Sequence, residues 1–241
     1  MLVSLIFLLA GAVKGVVGMG LPTVAMGLLA LTMPAPEAAA LLLIPSLATN
    51  LWQAFVGPDF ARLMRRLWPL LAGVALGTWL GMGGLVNGQD QRIAGLLGAI
   101  LVVYGLSGLT PWRPRIGPRQ ERWVALPVGL VTGLVTGATG VFVLPAVPYL
   151  QALELGKERL IQALGLSFSV STLALAAGLW RHGALHTENL GWSLVMLAPT
   201  LLGLGLGQWL RGHLSEALFR RVFFVGLMLL GVHWLVDAVS G

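Results

Sequence analysis

With 57% of its 241 residues apolar, only 10% charged and a mean hydropathy of +0.87, the chain falls outside the soluble globular class, where charged residues run at about 25%. Its formal net charge of +6 does not point to nucleic acid, because the basic residues sit in short stretches between apolar runs, where they set membrane topology. The absence of cysteine removes disulfides, thiol nucleophiles and cysteine metal centres.

In chain order, Leu2 to Val17 is apolar, as is Leu21 to Thr32, and Lys14-Gly15-Val16-Val17-Gly18-Met19-Gly20-Leu21-Pro22 lies across their junction. One continuous helix over both pieces would reach ~45–50 Å, against a hydrocarbon core of ~30 Å. Glycine and proline instead predict a broken, re-entrant helical hairpin. The N-terminus lacks the basic region of a signal peptide, so it is read as mature structure.

Pro34-Ala35-Pro36-Glu37 predicts the start of a helix that runs to about Val56. A basic loop from Gly57 to Leu67 is expected next, then a span over Trp68 to Val86. A turn at Asn87-Gly88 leads to a span over Gln91 to Leu109. Repeat 1 therefore covers 1–109. A proline-punctuated basic linker occupies 110–121, and repeat 2 covers 122–238. In repeat 2 an apolar piece, Trp123 to Thr136, is broken at Gly137-Ala138-Thr139-Gly140 and resumes over Val141 to Leu153. Spans follow at about Leu160 to Trp180, Leu190 to Leu210 and Ala217 to Val236.

The two repeats align. An offset of 121 places Glu37 on Glu158, Ser46 on Ser167 and Asn50 on Ser171. An offset of 130 places Gly73 on Gly203, Gly77 on Gly207 and Trp79 on Trp209. If each break turns the chain back to the side it came from, the linker and the loops around Arg62, Lys157 and Arg220 share twelve Lys and Arg. The other side then keeps only Arg92 and Arg181. The positive-inside rule favours this arrangement, with basic loops cytoplasmic and termini outside. Each half is then a hairpin plus three spans, and the halves are inverted. The expected fold is an all-α polytopic membrane protein of two inverted repeats in a single membrane domain, and short full spans in place of the hairpins give the same sidedness.

Breaks in corresponding positions of two halves point to a midplane binding site. Lys14 is the one charge deep in an apolar segment. It reads either as a functional charge or as a lysine snorkelling to water. No carboxylate in the flanking half-helices neutralises it, which suits an anionic ligand. Ser46 and Asn50 share a helix face with Thr49 and Gln53, and Ser167 and Ser171 repeat the spacing. These groups can donate to oxyanion oxygens, or serve as interhelical glue. Helices beginning after Gly20 and Gly140 would aim backbone N–H groups at the midplane, with Thr23, Thr136 and Thr139 as added hydroxyls and Gly18 and Gly137 in the turns. Pro22 and Pro145 are candidate hinges. Gly73, Gly77, Gly81, Gly203 and Gly207 suit close helix packing.

The two glycine–proline breaks, with Ser46-Leu47 and Ser167-Phe168 behind them, resemble the TauE/SafE family of membrane transporters over nearly the whole chain. The turns depart from an unbroken glycine run: the first is Gly-Met-Gly, and the second has Ala-Thr between its glycines. The resemblance implies transport of sulfite, sulfonates or related sulfur-containing anions. The expected function is thus secondary transport of a small sulfur oxyanion (sulfite, thiosulfate or an organosulfonate) by alternating access. A non-transporting membrane scaffold or assembly subunit is the alternative. An enzyme is disfavoured, because no span offers a nucleophile–base pair or a metal cluster. Expected partners are the small anion and the bilayer, without cofactor, metal or nucleic acid, in a bacterial inner membrane. A coupling ion (proton or sodium) and homo-oligomerisation stay open.

Overall fold

The computed structural model describes residues 1–87, 91–110, 115–213 and 215–240. The described residues form ten helices and no strand: α1 (Leu2–Val17), α2 (Leu21–Leu29), α3 (Ala35–Val56), α4 (Phe60–Asn87), α5 (Gln91–Leu109), α6 (Pro118–Thr139), α7 (Ala146–Ala152), α8 (Lys157–Arg181), α9 (Thr187–Arg211) and α10 (Glu216–Ser240). Five of them, α3, α4, α8, α9 and α10, contain stretches long and apolar enough to cross a bilayer. The chain is an all-α polytopic membrane protein. The turn expected at Gly88 and part of the expected linker, 111–114, lie outside the described residues.

The first break is where the residues place it. Gly18 ends α1 in the left-handed region (φ 83°), its N–H donating to the Lys14 carbonyl at 2.8 Å. Gly20 starts α2 in the same region (φ 102°), with Pro22 in the first turn. A side chain at either glycine would strain the backbone. α2 then packs back on α1.

The second break differs from the expectation. α6 continues through Gly137 and ends only at Gly140 (φ 71°). Gly137 stays helical because it serves close packing, lying against the Thr78 carbonyl of α4. The helix expected from Val141 is likewise shorter. It spans Ala146–Ala152, 7 residues, because Pro145 carries no N–H and stands at its N-cap. The basic segment expected to be a loop is also helical. Arg62, Arg65 and Arg66 lie in the first turns of α4, since no breaker follows Pro58.

α1 packs on α9 and α4 on α6; α3 packs on α8 and α5 on α10; α3 also meets α9 as α4 meets α8. Exchanging α1–α5 for α6–α10 returns the same set of pairs. Glycine makes the closest of these contacts. Gly73, Gly77 and Gly81 of α4 face the carbonyls of Leu126, Leu130 and Leu134, and Gly11 and Gly15 of α1 face those of Thr200 and Leu204. In a bilayer apolar burial does not drive helices together, so contacts of this kind supply the packing enthalpy.

Candidate functional site

The C-terminal turn of α1 ends against the polar face of α3. Lys14 is 2% exposed, and its Nζ donates to Thr49 Oγ1 at 3.0 Å and to Asn50 Oδ1. Thr49 can accept because its own proton goes to the Pro45 carbonyl at 2.8 Å. One turn further along α3, Gln53 Nε2 donates to the Gly18 carbonyl at 2.7 Å. It satisfies a carbonyl that the end of α1 would otherwise leave free. Ser46, Thr49, Asn50 and Gln53 recur at helical spacing and thus present one face. All of these partners are neutral, and among the described residues no carboxylate pairs with Lys14. An ammonium at such depth without a counter-charge is costly.

A cleft of about 580 Å³ reaches this cluster. Lys14, Gly18, Thr49 and Gln53 line its inner end; Trp52 and Leu204 supply apolar wall, and Glu158 and Arg211 stand at its outer part. Gly18 borders open space, with only Ile161 near the position a Cβ would take.

The hydroxyls divide into two groups. Thr136 donates to the Thr132 carbonyl at 2.7 Å and Thr139 to the Val135 carbonyl at 2.8 Å, so both use their protons within α6. Thr78, Ser169, Thr172 and Thr200 behave likewise in their own helices. By contrast Thr23 Oγ1, Ser46 Oγ, Asn50 Nδ2, Ser167 Oγ and Ser171 Oγ are buried without any partner. Each unsatisfied group costs about 1–3 kcal/mol, and native structures keep few of them. Ser46 with Ser167, and Asn50 with Ser171, are the pairs matched by the repeat offset, and α3 and α8 cross with Gly165 against the Asn50 carbonyl.

The remaining named positions lie elsewhere. Gly20 sits against Phe223 and Val13, Gly140 against Met26, and Gly137 in the α4–α6 contact. Pro22 is buried at the start of α2. The second break is apolar: Val141, Phe142 and Val143 are no more than 1% exposed, and Phe142 meets Phe168 edge-on with ring centroids 5.4 Å apart. Among the described residues, the second break thus has no charged counterpart to Lys14.

Thr49 and Gln53 share the face that Ser46 and Asn50 define, so their spacing was visible. Gln162 was not legible. It ties α8 to the end of α3, donating to the carbonyls of Ala54 and Gly57 at 2.8 Å each and accepting from the Asp59 N–H at 3.2 Å. Charged pairs close the same end, Arg159 with Asp59 at 2.5 Å and Arg66 with Glu121 through bonds of 2.6 and 2.8 Å.

Among the described residues no His, Cys, Asp and Glu group has the composition of a metal site. No curated protein and no solved structure matches the chain. A family model described as Sulfite exporter TauE/SafE matches residues 3–234. With an all-α membrane fold and a match over nearly its whole length, the chain belongs to the TauE/SafE sulfite exporter family of membrane transporters.

Proposed function

We propose that the protein is a secondary transporter of a small sulfur-containing oxyanion, sulfite, thiosulfate or an organosulfonate, and that Lys14 supplies the charge that binds it. The observation that carries this reading is Lys14 itself, a buried ammonium at the inner end of a cleft, held only by neutral acceptors. A bound anion would supply the missing counter-charge. Asn50 Nδ2 and the Ser46 hydroxyl, both buried without partners, would donate to its oxygens. Transport follows alternating access between two inverted halves, as the exchangeable helix pairings suggest. The basic end faces the cytoplasm of a bacterial inner membrane. The cleft opens at that end, beside Gly57, Glu158 and Arg211. The chain carries no nucleotide-binding motif, so ATP is not the direct drive, and coupling to a proton or sodium ion stays open.

The test is anion flux in proteoliposomes with sulfite, thiosulfate, sulfate and short sulfonates, on wild type and Lys14→Ala. Saturable flux of one anion, lost in the variant, is expected. Flux that persists in Lys14→Ala removes the lysine from the reading but keeps the transporter. No flux from folded wild type turns the reading towards a membrane scaffold.

A further inference from the structure

α3 carries Pro45 in its interior. Proline has no N–H, so the Leu41 carbonyl loses the helical partner it would have had at position 45. Such a break inside a membrane must be satisfied by a neighbour. Here the neighbour is Ser193 of α9, 0% exposed. Its Oγ donates to the Leu41 carbonyl at 2.8 Å and accepts from the Ile44 N–H at 3.0 Å. One hydroxyl therefore takes up both backbone groups on the N-terminal side of the proline.

The bonds continue towards the cleft. The Pro45 carbonyl accepts the Thr49 hydroxyl proton at 2.8 Å, and Thr49 Oγ1 accepts from Lys14 Nζ at 3.0 Å. Ser193, the proline turn, Thr49 and Lys14 thus form one connected chain from α9 through α3 to α1. The second half has no equivalent. The repeat offset of 121 places Leu166 at the position of Pro45, and the offset of 130 places Leu63 at that of Ser193. The clasp is thus made once, on α3, the helix that faces the lysine.

We propose that Ser193 is a positioning residue for the anion site: by replacing the helix bond that Pro45 abolishes, it fixes Ser46, Thr49 and Asn50 opposite Lys14. This rests on the transport reading above. Both bonds of the Ser193 hydroxyl go to backbone groups of α3, so its removal acts through α3 and not by deleting a ligand contact.

The experiment compares wild type, Ser193→Ala, Pro45→Ala and the double variant in proteoliposomes, using radiolabelled sulfite and thiosulfate. KM and maximal rate are each taken per folded molecule. Ser193→Ala is expected to raise KM about tenfold, the weight of one hydrogen bond. In the Pro45→Ala background position 45 again has an N–H for Leu41, so removing the serine there should leave KM unchanged. A rise in KM that is as large in both backgrounds overturns the proposal. So does Ser193→Ala with wild-type KM, or with only less folded protein. Should Ser193→Ala alone fail to fold, the comparison of Pro45→Ala with the double variant decides: equal KM supports the proposal and a further rise overturns it. Wild type that moves neither of these anions nor a short sulfonate defeats the transport reading itself, and the positioning role falls with it.

Discussion

The side-chain amide of Gln53 donates to the carbonyl of Gly18 at 2.7 Å, so α3 closes the end of α1 at the glycine turn. The turn and the lysine before it are held to the same helix face, Gln53 on Gly18 and Thr49 and Asn50 on Lys14. Replacing Gln53 by Leu takes the donor from a part-buried carbonyl, which costs about 0.5–1.5 kcal/mol. The thermal midpoint in detergent should fall, and Gln53→Glu, which keeps the shape but offers no N–H₂, should fall at least as far. A midpoint equal to wild type in both would mean that the bond contributes nothing to holding the turn.

Ser46 and Thr136 are both buried hydroxyls in the candidate set, and their bonding separates them. Ser46 Oγ has no partner, whereas Thr136 donates to the Thr132 carbonyl at 2.7 Å. Removing an unsatisfied polar atom does not destabilise in the way that breaking a bond does. Ser46→Ala should therefore keep or raise the thermal midpoint while weakening anion flux. Thr136→Ala should lower the midpoint by about 1 kcal/mol of stability and leave the KM for anion flux near wild type. Reversed outcomes would place the ligand-facing hydroxyls in α6 and not in α3.

Most of the architecture could be read from the residues, and the reasons differ by element. The first break was legible because Gly18 and Gly20 both need positive φ and Pro22 follows at once. The start of the second was placed three residues early because glycine has two uses. Gly137 is helical and packs on the Thr78 carbonyl, while Gly140 makes the turn; composition alone does not tell these apart. Arg62, Arg65 and Arg66 looked like a loop because they are charged, yet charge does not stop a helix that extends beyond the hydrocarbon. Among the candidate groups, the depth of the lysine and the spacing of the serine–asparagine face could be read from the residues, and the structure brings Lys14 to Thr49 and Asn50. The Ser193 clasp and the Gln162 tie depend on which helices become neighbours, information that lies in tertiary packing and not in any local pattern.

Gly77 and Gly205 give a paired test of the glycine contacts. A Cβ at Gly77 would run into the Leu130 carbonyl of α6, while nothing lies within 4 Å of one at Gly205. Gly77→Ala should therefore force α4 and α6 apart at a cost of about 1–3 kcal/mol. Gly205→Ala should be neutral or stabilise by about 0.4–1 kcal/mol, because alanine restricts the unfolded chain. Thermal midpoints in one detergent check both, and equal shifts would remove close approach as the reason for glycine at position 77.

Arg211 and Glu158 line the outer part of the same cleft and carry opposite charges. If anions arrive along it, the guanidinium attracts them and the carboxylate repels them over a Debye length of about 8–10 Å. Arg211→Gln should raise the KM for anion flux, Glu158→Gln should lower it, and both effects should shrink with added salt. Maximal rates should change little, because neither residue is among the partners that hold Lys14. Effects insensitive to salt would assign both residues to the helix ends they occupy and not to the route of the anion.

The sidedness can be measured directly because the chain contains no cysteine, so any introduced thiol is unique. α8 runs 25 residues from Lys157 to Arg181, about 37 Å of helix, enough to put its two ends on opposite sides of a ~30 Å core. Arg65 and Lys157 are exposed near the end where the cleft opens, and His186 is exposed beyond the other end of α8. If the basic end is cytoplasmic, a membrane-impermeant maleimide should label His186→Cys in intact spheroplasts. Arg65→Cys and Lys157→Cys should label only in inverted vesicles. The opposite pattern would turn the protein over in the membrane and make the lysine cleft open outwards. Labelling of Lys157→Cys and His186→Cys from the same side would mean that α8 does not cross, and with it would go the inverted relation between the halves.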